Sequence, residues 1–205
     1  MESMKKIGIT GAIGAGKSFA AALLRERGFE VLDADAAVHA LYRDCTALRA
    51  EMAETFGPEC LVEGGVNRRF FVERVFVDKA IREKLEAVVY PHLTGAVRAF
   101  FDGGVGCNGD SSAASPERPR FLEAALLSRA PGIIALLDEV WIVDAPEDLR
   151  LRRLVGRGLA EDDARRRIQD QRGACDESLF AGKTIRKLLN TGDTASLLKQ
   201  LEEIL

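Results

Sequence analysis

The sequence predicts an α/β protein in three layers, in which a central parallel β-sheet lies between two layers of helices. Short apolar runs typical of buried strands alternate along the chain with segments typical of helices, and this alternation favours parallel pairing. A chain of 205 residues is long enough for one such domain with an insertion. We therefore expect the sheet to carry a helical insertion and a small helical lid.

Each predicted element has a local signal. Apolar runs indicate the strands, whereas capping residues, glycines and prolines mark where the helices begin and end. The predicted strands cover residues 6–10, 29–33, 120–124, 139–143 and 184–189. The predicted helices cover residues 18–27, 36–42, 46–56, 67–76, 78–89, 91–101, 146–157, 161–171 and 193–205.

Composition changes along the chain indicate its domain organisation. Residues 103–118 are rich in Gly, Ser and Pro, so we interpret them as a flexible connection and not as an element. The helical stretch before it is expected to form the insertion. The predicted organisation is a core of residues 1–44 and 119–205 with a lid at about 152–172, an insertion of residues 45–102, and the connection.

Charge and cysteine usage limit the class of protein. The formal net charge of −3 counts against nucleic acid as the main partner. The four cysteines are widely spaced and form no C-x-x-C pair, so we expect reduced thiols in a cytoplasmic protein. No segment has the length and apolarity of a membrane span, and we expect no membrane partner. The oligomeric state cannot be read from the sequence.

Residues 11–18 match the phosphate-binding pattern G-x-x-x-x-G-K-[ST]. The glycines allow backbone N–H groups to turn toward the β- and γ-phosphates of a nucleotide, Lys17 adds a positive charge, and the Ser18 hydroxyl is a ligand for Mg²⁺. A predicted strand precedes the loop and a predicted helix follows it, which disfavours a chance glycine-rich turn. The pattern predicts a nucleoside triphosphate site.

Two aspartates follow the second predicted strand. Asp33 and Asp35 are two residues apart, so an extended backbone sends both side chains to one side. Ligands of open α/β sheets bind beyond the carboxyl ends of the strands, where a carboxylate can accept the proton of an attacking hydroxyl. The alternative is that both aspartates cap the helix that begins near Ala36. Capping and catalysis do not exclude each other.

Arginines crowd the two helices predicted for residues 146–171. Gly156 and Gly158 bracket the turn between these helices, as expected for a hinged lid that closes over phosphate charge. Arg157 beside the hinge and Arg153 one turn earlier are the candidates for phosphate contact. The alternative is that the arginines only form a solvated face.

Together these patterns resemble the dephospho-CoA kinase family. The resemblance extends over nearly the whole chain apart from the Gly- and Ser-rich connection, and the order and spacing of the segments are more specific than any single later segment. The matching segments are Ile7–Ser18, Val31–Asp35, Gly64–Arg69, Val75–Phe76, Val143–Pro146, Arg153–Leu154 with Arg157, and Arg167–Gln171.

The resemblance implies a P-loop kinase fold and transfer of the γ-phosphate of ATP, with Mg²⁺, to the 3′-hydroxyl of dephospho-CoA, the last step of coenzyme A biosynthesis. It implies catalytic roles for Asp35 as base and for Lys17 and Arg157 on the transferred phosphate, and a substrate-binding role for the helical insertion. The expected nucleotide-binding residues are Gly11, Ala12, Ile13, Gly14, Ala15, Gly16, Lys17, Ser18, Phe19, Arg153 and Arg157, with Ser18 as the metal ligand. The expected substrate-binding residues are Thr10, Asp33, Asp35, Arg68, Arg69 and His92.

Two segments depart from the family pattern. The insertion has Tyr90-Pro91-His92 where the family has His before Pro, so His92 either takes over that position or is structural. Residues 123–129 place their acid, Glu123, before the apolar stretch and not after it. The alternatives to this function are another small-molecule P-loop kinase, which would phosphorylate its own acceptor, and a nucleotide-gated binding protein, which would have little use for both Asp35 and an arginine lid.

Overall fold

The computed structural model describes residues 4–103 and 118–205. Most of the predicted connection, residues 104–117, lies outside the described residues, so its character stays a prediction. The chain divides into two compact units, Met1–Val31 with Ala113–Leu205, and Leu32–Ser112. The boundary between them falls within the second strand, earlier than the boundary we expected after residue 44. Within the part that the structure describes, no helix is both long and apolar enough to cross a bilayer.

The elements alternate largely as the sequence predicts, but the helix at Pro131–Leu136 was not predicted. The strands are β1 (Lys6–Thr10), β2 (Val31–Asp33), β3 (Leu61–Val62), β4 (Gly65–Val66), β5 (Arg120–Glu123), β6 (Glu139–Asp144) and β7 (Thr184–Leu189). The α-helices are α1 (Lys17–Glu26), α2 (Ala34–Asp44), α3 (Thr46–Phe56), α4 (Arg68–Val77), α5 (Lys79–Phe101), α6 (Pro131–Leu136), α7 (Glu147–Gly156), α8 (Glu161–Asp170) and α9 (Thr194–Ile204).

The central sheet has the strand order β2-β5-β1-β6-β7. Strand β1 lies at its centre and pairs in parallel with β5 through Ile7 and Phe121, and with β6 through Ile9 and Trp141. Strand β7 pairs in parallel with the other edge of β6. Since all these strands run the same way, β1, β5, β6 and β7 end at one edge, and the loops that follow them meet there. The predicted parallel α/β fold is confirmed.

The core of the first unit lies between this sheet and helices α1 and α9. Phe121 and Trp141 are fully buried and meet edge to face, with ring centroids 5.0 Å apart. Apolar residues of α1 and α9 recur at helical spacing and complete the cluster, so one stripe of each helix faces the sheet. The cluster comprises Ile7, Ile9, Ala20, Leu23, Leu24, Phe121, Trp141, Val143, Leu188, Leu197 and Leu201.

The second unit is largely helical and has its own core. Leu48 and Met52 of α3, Cys60, and Val89 of α5 are buried together, and Phe71 meets Phe56 edge to face. Asn67 and Asp78 cap α4 and α5 through their side chains, as the sequence predicts. This unit therefore buries an apolar centre without a large sheet.

The sequence predicted that Pro91 separates two helices, and this prediction is wrong. Helix α5 runs continuously from Lys79 to Phe101 with Pro91 inside it. Proline cannot donate the hydrogen bond that the Ala87 carbonyl would accept, and this loss usually ends or kinks a helix. Here residues on both sides of Pro91, including Val89, Leu93 and Val97, are buried. Tertiary packing therefore outweighs the cost of the proline.

The antiparallel hairpin of β3 and β4 was missed in the sequence. Each strand has two residues, too few for a period of two to be recognised, and the turn between them is formed by Glu63 and by Gly64, which has a positive φ. A Cβ at Gly65 would lie 2.6 Å from the Tyr42 carbonyl oxygen of α2, so the hairpin contacts that helix closely.

Candidate active site

The loop from Gly11 to Ser18 connects β1 to α1 at the carboxyl edge of the sheet. Gly16, the N-cap just before α1, adopts a left-handed conformation (φ 97°) that other residues rarely adopt. Gly11 passes so close to the next strand that a Cβ would lie 2.4 Å from the Val143 carbonyl oxygen. The glycines of the motif are therefore required by backbone geometry.

Arg153 and Asn190 donate hydrogen bonds to carbonyl groups of this loop. Arg153 of α7 donates to the carbonyl oxygens of Gly14 and Ala15, both at 3.1 Å. The Asn190 side chain, which follows β7 and is buried, donates to the Ala15 carbonyl at 2.9 Å and accepts from Arg153 at 2.8 Å. These bonds fix the orientation of the loop carbonyls.

Helices α7 and α8 also contact the loop at Ile13. The Ile13 N–H donates to Gln171 at 2.8 Å and its carbonyl accepts from Arg150 at 2.9 Å. The Ile13 side chain packs against a small core shared by α7 and α8, which includes Leu154 and Ile168. The segment that the sequence predicts as a lid is therefore attached to the phosphate loop at this residue.

One donor beside the loop has no acceptor. The Nη2 atom of Arg150 is buried and makes no hydrogen bond within the described residues. A buried donor without a partner is costly, so such atoms are frequently partnered by a ligand. The sequence placed Arg150 only within the arginine-rich group and gave it no specific role.

The backbone N–H groups of the loop are not equally available to a ligand. Those of Ile13, Ala15 and Phe19 already have acceptors, which are Gln171 for the first and loop carbonyls for the other two. Lys17 and Ser18 are the first residues of α1, where N–H groups have no helical acceptor and the helix dipole is positive. This end of α1 suits a phosphate group.

The Ser18 hydroxyl donates to a carboxylate oxygen of Glu123 at 2.5 Å. Glu123 is the last residue of β5, on the strand next to β1, and is buried. In the sequence Glu123 was noticed only as a departure from the family pattern, because nothing in a linear chain places β5 beside β1. The structure thus adds a second oxygen donor beside the predicted metal ligand.

Cys175 lies beside the predicted site residues Thr10 and Lys17. Burial raises the pKa of its thiol above the usual value, while a hydrogen bond with Thr10 and the charges of Lys17 and Arg150 act in the opposite direction. Thr10 is itself buried at the end of β1. The sequence gave no signal for Cys175, since its neighbours come from elements far away in the chain.

Arg157 is exposed and forms the C-cap of α7, just before Gly158 (φ 91°). It makes no ion pair with an acidic side chain in the described residues. Burial and the charge of Arg157 both lower the pKa of Arg153, so the two guanidinium groups lie near each other. Arg153 contacts the loop, whereas Arg157 keeps its donors available.

In the second unit, Asp33 and Asp35 have different environments. One carboxylate oxygen of Asp33 accepts from the N–H groups of Asp35 and Ala36, at 2.8 and 3.1 Å, so Asp33 caps α2. The Asp35 side chain is exposed and makes no hydrogen bond with the described residues of its own unit. Capping therefore occupies Asp33 and leaves the carboxylate of Asp35 available.

An open cavity of about 340 Å³ lies between α2 and the β3–β4 hairpin of the second unit. Arg68 lines this cavity, and its charge partly offsets the effect of burial, which raises the pKa of Tyr42. Arg69 and His92 do not line it, and His92 instead contacts Cys45 and Glu51. The lining residues are His39, Tyr42, Arg43, Val62, Glu63, Gly64, Gly65, Val66 and Arg68.

Comparison with known proteins agrees with the motifs. The dephospho-CoA kinase family model matches residues 5–188. A dephospho-CoA kinase of Anaeromyxobacter dehalogenans is 41% identical over 166 residues, which are 79% of this chain and 74% of that protein. A dephospho-CoA kinase of Aquifex aeolicus is 31% identical over 202 residues, which are 98% of this chain and 96% of that protein.

A solved structure is similar over the same length. The crystal structure of a Thermus thermophilus protein superposes with a TM-score of 0.73 at 33% identity, covering 99% of this chain and 97% of that one. The similarity therefore includes both units and is not confined to the phosphate-binding loop.

Proposed function

Because the chain belongs to the dephospho-CoA kinase family, we propose that it transfers the γ-phosphate of ATP to the 3′-hydroxyl of dephospho-CoA, the final step of coenzyme A biosynthesis. The observation that carries this proposal is the phosphate-binding loop, whose carbonyls are held by Arg153 and Asn190 at the start of α1. The family match indicates dephospho-CoA as the phosphate acceptor, and the phosphate-binding loop supports ATP as the phosphate donor.

The first unit binds the triphosphate. The N–H groups at the start of α1 and the Lys17 ammonium face the phosphates, and Arg157 stabilises the charge that develops on the transferred group. Arg153 acts through the loop, because its guanidinium already donates to the carbonyls of Gly14 and Ala15. The free Nη2 of Arg150 offers a further donor to an anion at this loop.

Ser18 and Glu123 would hold Mg²⁺. Within the described residues no group of three or more His, Cys, Asp or Glu side chains is arranged to hold a metal ion. Mg²⁺ does not need such a cage, because it binds one or two protein oxygens and takes its other ligands from phosphates and water. The adjacent hydroxyl and carboxylate oxygens fit this requirement. When bound, Mg²⁺ balances charge on the phosphates.

Asp35 orients the acceptor hydroxyl and accepts its proton. Its carboxylate is exposed, and its neighbour Asp33 performs the capping of α2. A base must reach a substrate proton, which a carboxylate engaged in capping does less well. Catalysis then consists mostly of positioning and charge stabilisation, as in other phosphoryl transfers.

The cavity beside Arg68 binds part of dephospho-CoA. This substrate carries a pyrophosphate group, and Arg68 provides positive charge at the cavity wall, whereas the guanidinium of Arg43 is paired with Asp44. Arg69 and His92 lie outside the lining, so their predicted contacts with substrate stay predictions. The cytoplasmic location also stays a prediction.

The first experiment is a coupled assay of ADP release, with ATP supplied with and without dephospho-CoA and with and without Mg²⁺. We expect turnover that requires both additions and a product whose mass corresponds to one added phosphate on the 3′ position. Shikimate or a nucleoside supplied in place of dephospho-CoA is the matched control and is expected to give no turnover. ADP release that is independent of any acceptor would contradict the proposal.

A further inference from the structure

Cys45 begins helix α3, where its sulfur accepts a hydrogen bond from the Leu48 N–H at 3.5 Å. The same sulfur lies 3.8 Å from Nδ1 of His92, on α5. Cys45 is only partly buried, unlike Cys60, which is fully buried. A cysteine at a helix N-terminus beside a histidine is the environment in which reactive thiols are found.

A third side chain orients the histidine. Nε2 of His92 lies 3.1 Å from a carboxylate oxygen of Glu51, on the helix that Cys45 begins. An ionised carboxylate can only accept, so a neutral His92 that donates from Nε2 to Glu51 has the lone pair of Nδ1 on the side of the Cys45 sulfur. His92 thus contacts the cysteine through one ring nitrogen and the carboxylate through the other, which is the arrangement that activates nucleophiles in proteins.

The other described cysteines lack these partners. Cys60 is buried, and burial raises the pKa of its thiol above the usual value. Burial likewise raises the pKa of the Cys175 thiol. Both shifts disfavour the thiolate, the form that reacts. Cys45 is therefore the thiol of the described chain that is built to react.

We propose that Cys45 is a site of reversible S-thiolation, at which it exchanges with a low-molecular-weight disulfide. The thiol proton moves to Nδ1 of His92 while the sulfur attacks one sulfur of the disulfide. A new S–S bond forms to Cys45, the S–S bond of the small disulfide breaks, and the leaving thiolate takes the proton from His92. One disulfide replaces another, so no further oxidant or reductant is consumed.

The test uses the full chain with Cys107→Ser as the reference protein, because Cys107 lies outside the described residues. The reference protein is incubated with oxidised glutathione, and the adduct is followed by intact mass and located by peptide mapping. We expect one glutathionyl group on Cys45, removal of that group by a dithiol reductant, and no adduct at that rate after Cys45→Ser.

The rate of adduct formation distinguishes the proposed arrangement from a merely accessible thiol. His92→Gln should lower it about 10²-fold, the lower range for loss of a general base. Glu51→Gln should lower it by up to about fivefold, because Glu51 is half exposed. His39→Gln, a change of the other histidine, should leave it unchanged.

An adduct located on Cys175 or Cys60, or an unchanged rate in His92→Gln, would overturn the proposal. If His92→Gln does not fold, Glu51→Gln decides, since that side chain lies at the surface: a lower rate supports the arrangement and an unchanged rate contradicts it. Neither result depends on the kinase activity.

Discussion

At the scale of single residues, the two aspartates at the start of α2 show how neighbours in sequence take different roles. Asp33 accepts two backbone hydrogen bonds, whereas Asp35 accepts none from the described residues of its unit. A cap stabilises its helix, and a carboxylate without partners is available for chemistry. Substitution separates these two roles.

Asp35→Asn is expected to abolish phosphate transfer while ATP binding and the midpoint of thermal unfolding stay unchanged, because the amide keeps the shape but cannot accept a proton. The control is Asp33→Ala, which should lower the free energy of unfolding by about 1 kcal/mol through loss of the cap. Turnover, nucleotide titration and thermal unfolding measure the three quantities. Loss of the fold in Asp35→Asn would make Asp35 structural.

Arg157→Ala is expected to lower kcat by about 10²-fold or more, since a donor aimed at charge in the transition state typically has an effect of this size. Arg152→Ala is the matched control, because Arg152 lies exposed on α7 and pairs with Asp148 four residues earlier. It should change turnover little. Equal effects of the two substitutions on kcat would show that Arg157 has no specific role in catalysis and that both arginines act only through the general positive charge of this surface.

At the scale of elements, the phosphate loop depends on residues that follow two other strands and on helix α7. Arg153, Asn190 and Glu123 all contact the loop or the first turn of α1. None of these contacts is local in sequence, since Asn190 lies 175 residues after Ala15. The parallel sheet brings them together because its strands end at one edge.

Asn190→Ala leaves the Ala15 carbonyl and the Arg153 guanidinium with one partner fewer. We expect the free energy of unfolding to fall by about 1–3 kcal/mol. We also expect KM for ATP to rise by about tenfold, because a tenfold change corresponds to about the free energy of one hydrogen bond that orders the loop. The change in kcat should be smaller.

Gln200→Ala is the control for Asn190→Ala. The Gln200 amide also bridges backbone groups, those of Leu189 and Ser196, and makes no direct hydrogen bond with the described residues of the loop. It should lower stability without changing KM. If Asn190→Ala behaves in the same way, its role is structural only.

At the scale of the whole molecule, a buried carboxylate joins the beginnings of three strands of the sheet. Glu139 of β6 accepts from Lys5, just before β1, at 2.8 Å and from Trp141 at 3.2 Å, and Arg186 of β7 lies 3.8 Å away. Burial raises the pKa of Glu139, but the hydrogen bonds from Lys5 and Trp141 and the positive charges of Lys5 and Arg186 together lower the pKa overall.

Folding stability should therefore depend on Glu139 in a defined pH range. A lowered pKa in the folded state stabilises the fold above the unfolded pKa of about 4.3, and this contribution disappears as the pH falls through the folded value. Glu139→Gln should lower the free energy of unfolding by about 1–3 kcal/mol at pH 7, and the difference should shrink below about pH 4.

Chemical denaturation at pH 7 and below pH 4 measures the effect of Glu139→Gln. The control is Glu202→Gln, an exposed carboxylate paired with Arg27, for which we expect a change within about 0.5 kcal/mol. A destabilisation of Glu139→Gln that is independent of pH would show that packing, and not charge, is responsible.

The amino-acid sequence by itself determined the parallel α/β fold, the phosphate-binding loop and most helix ends. These features rest on local causes: apolar periodicity, capping side chains such as Asn67 and Asp78, and glycines that the loop backbone requires. The local reasoning was wrong where packing outweighed it, at Pro91, and it missed a hairpin whose strands have only two residues each.

Only the tertiary structure decided which side chains meet. The contacts of Glu123 with Ser18, of Asn190 with the loop and of His92 with Cys45 join residues that are 105, 175 and 47 positions apart. Strand order and helix packing bring these residues together. Their spacing in the sequence and their residue types do not predict the contacts. The family's chemistry could therefore be predicted from the chain, whereas the supports of its loop and the environment of Cys45 follow from the folded arrangement.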